Sequence, residues 1–215
     1  MSAVPYIFLI ALISTIPVAD QRPLALSEVD DSARYLFECA RDAKWMQANG
    51  QLDTLQRAVG DLPAGLRPAD VAAALRNRMR ELPDDVSRHE RIRTMEAANA
   101  ITESVIGLSA AFQSPVPAQV PRLAYLGRQI EVGVAAGRKA AIARAVAEIR
   151  QTWDELRPEL EGRGHRADVR RMTDIVVSLE TTKETAEDAA LARDELATVS
   201  HLEAELKVAP PRSGE

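Results

Sequence analysis

Apolar and small residues recur along this chain at spacings of three and four, the pattern of helices that bury one face. Val29, Ala33, Leu36, Ala40 and Ala43 lie on one such face. They predict a first helix over residues 24–48, opened by Ser27 and Asp30 and stopped by Asn49-Gly50. Leu52, Leu55, Val59 and Leu62 predict a short second helix closed by Pro63, Gly65 and Pro68. Val71, Leu75, Met79 and Leu82 predict a third, closed by Pro83. Ile92, Met95, Thr102, Val105 and Phe112 mark a fourth over residues 86–113.

Three prolines then fall within seven residues, Pro115, Pro117 and Pro121, and set an internal boundary. Leu123, Leu126 and Ile130 open the next helix, which reaches Gly133 and Gly137. Ile142, Val146, Ile149, Trp153, Leu156 and Leu160 follow at coiled-coil spacing, with a kink or end expected near Arg157 because Pro158 follows it. A last helix is expected over residues 167–207, with Ala186, Ala190 and Ala197 on its packing stripe. No strand-like alternation of any length interrupts these patterns. The expected fold class is all-α, an antiparallel helical bundle of long hairpins, or two packed helical units.

The N-terminus reads differently. Residues 3–19 carry no charge, which predicts a signal segment or membrane anchor and places the protein in the cell envelope, exported or tethered. The organisation expected is an anchor or signal over 1–22, helical units over 23–113 and 122–207, a Pro-rich linker over 114–121, and a disordered tail over 208–215.

Composition sharpens the helical reading. Alanine, the best helix former, accounts for 36 of 215 residues, and aromatic residues for only 4%. Few aromatics also argue against a large aromatic-walled ligand pocket. One cysteine, Cys39, excludes a disulfide scaffold, and its helical neighbours predict a small buried hydrophobe. The net charge of -5 lacks the signature of a nucleic-acid binder. A basic turn (Arg163, His165, Arg166, Arg170, Arg171) precedes an acidic last helix, which predicts a solvated face with salt bridges between paired helices or, as the functional alternative, an anionic-ligand or partner site at the turn.

Two segments repeat weakly. Ala48, Gly50, Arg57, Ala58 and Val59 recur 87 residues later as Ala135, Gly137, Arg144, Ala145 and Val146. Ile92–Met95 resembles Val169–Met172 at an offset of 77, with His89 and His165 ahead of each. The expectation is two duplicated helical units. The Gly50 and Gly137 segments also suggest a tetratricopeptide-like solenoid for protein interaction. The second half, carried by Ala141, Ile142, Trp153, His165, Asp168 and Leu202, resembles a bacterial family of membrane-anchored helical-hairpin proteins of unknown function. That resemblance implies the anchor and the hairpin, and no activity or ligand.

Motifs for chemistry are missing. There is no phosphate-binding glycine loop, no GxSxG, no CxxC, and no Glu three residues before His89, His165 or His201. No catalytic residue, cofactor or metal site is assigned. The function expected is binding or scaffolding, with a protein partner or a second copy engaged if the Ile142, Val146, Ile149 and Trp153 stripe stays uncovered. The alternative is a copper- or haem-binding bundle using His165 and Met172, which sit seven residues apart on one helix face. His201-Leu202-Glu203 reads as a surface, and Trp153 as a core anchor, with Trp45 in a similar role.

Overall fold

A computed structural model describes residues 22–182 and 185–208. Among them are eight helices and no strand: α1 (Leu24–Arg41), α2 (Trp45–Gly60), α3 (Ala69–Ser87), α4 (Arg91–Ser109), α5 (Gln119–Ala135), α6 (Lys139–Arg163), α7 (Arg166–Thr181) and α8 (Thr185–Val208). The protein is an all-α helical bundle. The apolar run over 3–19 and the tail from 209 lie outside the described residues. Among the described residues no helix is long and apolar enough to cross a membrane.

The helices close into two four-membered rings. In the first, α1 packs on α2, α2 on α3, α3 on α4, and α4 back on α1. In the second, α5 to α8 repeat that cycle, and α4 packs on α5 to join the rings. Closure of each ring distinguishes this arrangement from an open solenoid, in which each hairpin meets only its neighbours. Two apolar cores result. One gathers Leu26, Leu36, Phe37, Leu55, Leu75, Met95 and Ile101. The other surrounds Trp153, fully buried, whose indole N–H donates to Thr173 Oγ1 at 3.2 Å. The Ile142, Ile149 and Trp153 stripe is buried by the chain itself, with Val146 packed partly against the same core.

Several predicted boundaries move. The first helix stops at Arg41 rather than residue 48, at a three-residue turn in which Ala43 has φ +56. Asn49-Gly50 lies inside α2, where a Cβ on Gly50 would meet nothing. Neither Pro83 nor Pro158 ends its helix: α3 runs on to Ser87 and α6 to Arg163, closed by Gly164 at φ +91. A mid-helix proline costs about 3 kcal/mol, while burying each flanking aliphatic returns about 1.5–3 kcal/mol. Leu82 and Val86 flank Pro83, and Leu156 and Leu160 flank Pro158, all four fully buried, so packing carries both helices through.

The long last helix is two. Thr182 is extended at ψ 145, the Thr181 hydroxyl donates to Val177 and Ser178 carbonyls, and the Thr182 hydroxyl donates to Glu187 at 2.6 Å. Threonine hydroxyls that bond nearby groups compete with helix continuation. The break resets the phase of α8, so Ala186, Ala190 and Ala197 are exposed rather than packed. The buried face of α8 is Ala192, Glu195, Val199, Leu202 and Leu206, spaced 3-4-3-4.

Candidate functional site

Helices α4 and α5 lie where the rings meet, and both are buried on more than one face. Such helices read as apolar all round, yet the junction holds charge. Asn99 on α4, Arg128 and Glu131 on α5, Glu195 on α8 and Asp30 on α1 are all buried. Arg128 Nε donates to Asn99 Oδ1 at 2.9 Å, and Asn99 Nδ2 donates to the Tyr125 carbonyl at 3.1 Å. Glu131 Oε1 lies 3.5 Å from Arg41 Nη1 and 3.7 Å from Arg193 Nε. Arg34 ties the rings at the other end: Nη2 is 2.9 Å from Asp30 and Nη1 2.8 Å from Glu203 of α8.

Burial dominates the electrostatics of this seam. It pushes the Glu195 carboxyl well above the usual carboxylate range; Arg128 pulls the other way and Glu131 adds to the rise. It raises Glu131 against the pull of Arg41 and Arg193, and brings the Arg128 guanidinium down to about 10. Both Glu195 carboxyl oxygens lack a hydrogen-bond partner. The carboxyl fits because residue 127 is glycine: a Cβ there would stand 2.1 Å from Glu195 Oε2 and 3.1 Å from Leu196 Cγ. For Arg34, burial works against the charge, but Asp30 and Glu203 outweigh it and hold the guanidinium protonated.

The Arg34 end of the seam opens into a cleft of about 330 Å³. Val105 and Ile106 of α4, Phe112, Val116 and Pro117 of the linker, and Pro121 of α5 form an apolar wall. Arg22, Asp30, Arg34, Ser109, Glu203 and Lys207 form the polar end. Within that end Arg22 Nε, Asp30 Oδ1, Arg34 Nε and Ser109 Oγ are buried without a hydrogen-bond partner. A largely apolar cleft with a few convergent polar groups is the common form of a small-molecule site.

The residues singled out in the sequence fall elsewhere. Cys39 is buried in the first core, and its thiol is pushed up by burial, against a reactive role. His89, at φ 57, stacks on Trp45 with ring centroids 4.7 Å apart, and Trp45, partly buried, packs against the first core from the start of α2. Met95 and Met172 are fully buried among aliphatic side chains. His165 turns to Glu205, 3.0 Å away, so it and Met172 have different surroundings. Glu203 is not part of a surface, since Arg34 and Lys207 hold it in the cleft and, despite burial, bring its carboxyl below the usual range.

The seam residues are polar members of an otherwise apolar helical period, so apolar spacing alone does not reveal them. On α8 the spacing from Leu206 through Leu202 and Val199 points to position 195, which is a glutamate. On α5, Arg128 and Glu131 interrupt a run apolar on every side. A charge at a position the period assigns to the core is the signal. Comparison with family models, with curated proteins and with solved structures returns no match to this chain.

Proposed function

We propose that this is a cell-envelope binding protein whose ligand occupies the cleft between α1, α4, the proline linker and α8. The uncharged run over residues 3–19 supports export or anchoring. The ligand class is a small amphipathic molecule with an apolar body and a head group that both donates and accepts hydrogen bonds. One observation carries the reading: four polar atoms, on Arg22, Asp30, Arg34 and Ser109, are buried at one end of an apolar cleft without partners. A buried group left unpaired costs about 1–3 kcal/mol, so a head group that pairs with these atoms recovers that cost on binding. Three cations, Arg22, Arg34 and Lys207, face two anions, Asp30 and Glu203, so a neutral donor-acceptor head such as an amide matches better than a cation.

The test is displacement of an apolar fluorescent dye from the full chain by a medium-chain primary amide and by the alkane of equal length. Saturable displacement by the amide alone, weakened roughly tenfold or more by Ala110→Trp on the exposed rim of the cleft, supports the reading. Absence of saturable binding assigns the unpaired atoms to water and overturns it.

A further inference from the structure

On the face of α8 opposite Glu203 and Lys207, four side chains converge on one spot. His165 caps the start of α7 and Asp168 lies in its first turn; His201 and Glu205 lie one turn apart near the end of α8. Donors three and four residues apart share a helix face, so each helix presents a pair. His165 Nδ1 lies 3.0 Å from Glu205 Oε2 and 3.9 Å from Asp168 Oδ2. His201 Nε2 lies 3.4 Å from Glu205 Oε1 and 3.9 Å from Asp168 Oδ1. The ligand atoms of His165, Asp168 and Glu205 all lie within 4.8 Å of one another.

We infer that His165, Asp168 and Glu205 bind a divalent transition-metal ion, with His201 as a flanking fourth donor. Ligands about 2.1 Å from one ion stand about 3.0 Å apart in an octahedron and about 3.4 Å apart in a tetrahedron. The separations from the two Glu205 oxygens to the two imidazoles, 3.0 and 3.4 Å, fall at those edges, and those from Asp168, 3.9 Å, exceed the tetrahedral edge by about 0.5 Å and the octahedral edge by about 0.9 Å. Imidazole with carboxylate is the donor set of zinc and its first-row neighbours, not of calcium or magnesium.

Charge supports the assignment. Arg166, Arg170 and Arg171 lie close in sequence, and a surface salt-bridge network would use them. Among the described residues none of the three forms an ion pair with Asp168 or Glu205, whose ion-pair partners are the two histidines. Arg163 is turned away, to Glu159 and the Pro115 carbonyl. With imidazoles in the neutral, metal-binding form, two carboxylates remain for a dication to neutralise. His165 and Asp168 are only 15% and 16% exposed, whereas His201 and Glu205 are open to solvent, which gives an entry path.

The full chain, stripped with chelator, is titrated calorimetrically with Zn²⁺, and with Co²⁺ followed by its visible absorption. The expected result is one ion per chain, Co²⁺ absorption of a nitrogen- and oxygen-ligated site, and a melting temperature that rises with Zn²⁺. His165→Ala and Glu205→Gln are each expected to weaken binding roughly tenfold or more and to abolish the melting shift. Neither removes a helix cap, since His165 makes no side-chain cap bond, and melts without metal confirm that both variants fold. No saturable uptake, or uptake that survives both substitutions, would falsify the site.

Discussion

Glu195 concentrates the energetic tension of this molecule in one side chain. It is fully buried, its carboxyl oxygens are unpaired, and burial raises its proton affinity despite Arg128. The sign of the pH effect follows. An unfolded glutamate releases its proton near pH 4.3. Above that value the folded chain keeps the proton and the unfolded chain does not, so stability falls as pH rises toward the folded value. Glu195→Gln keeps the shape and removes the titration. The variant is expected to match the parent below about pH 4 and to melt several degrees higher at pH 8, at roughly 2–4 °C per kcal/mol for a chain of this size. Thermal melts across that range check it; a constant offset at every pH would assign the effect to packing instead.

Turns, at the scale of elements, explain both the success and the failure of sequence reading. Ala43 and Gly137 occupy the same place in their rings, at φ +56 and +67, one residue after the helix cap. The hydrogen bonds agree: Lys44 N–H donates to Cys39 O and Arg138 N–H to Gly133 O, both at 2.8 Å. Left-handed backbone costs a non-glycine residue about 1–2 kcal/mol. Ala43→Gly is therefore expected to raise stability by about 1 kcal/mol, less the entropy that glycine adds to the unfolded chain, as measured by urea denaturation. The turn carries no glycine, so the sequence does not mark it, whereas Asn49-Gly50 has the residues of a helix stop and lies inside α2. Equivalent turns place the rings 94 residues apart, whereas the sequence repeat aligned them at 87. The error of seven residues is two helical turns, which leaves every apolar face in phase. The second match joins α4 to α7, helices at different places in their rings. Helix existence, the core stripe of α6 and the burial of Trp153 were legible because period and apolarity coincide there. The seam was not legible, because tertiary enclosure decides which charges are buried, and one chain's pattern records that only as an interruption.

Across the whole molecule, the two rings share their interior. Val132 of α5 belongs to the first core, Asn99 of α4 is the hydrogen-bond partner of Arg128, and Arg34 of α1 is held by Glu203 of α8. Separating the rings would expose those partners together, leaving Arg128 and Glu195 without the enclosure their helices are built around. The chain over residues 22–208 is expected to unfold in one cooperative transition by circular dichroism. Residues 22–113 alone are expected to lack such a transition, and a sharp melt from that fragment would show that the first ring folds independently.

The pocket that Gly127 leaves for Glu195 has a further consequence for how the helices find each other. Aliphatic faces tolerate sliding, since one leucine packs in another's place at small cost. A carboxyl matched to a single missing methyl does not. Moving α8 along α5 by one turn, about 5.4 Å, would set Glu195 against Leu123 or against Glu131, where no side chain has been pared away to admit it. The least comfortable residue of the interior thus acts as a detent, holding two otherwise slippery helices at one notch.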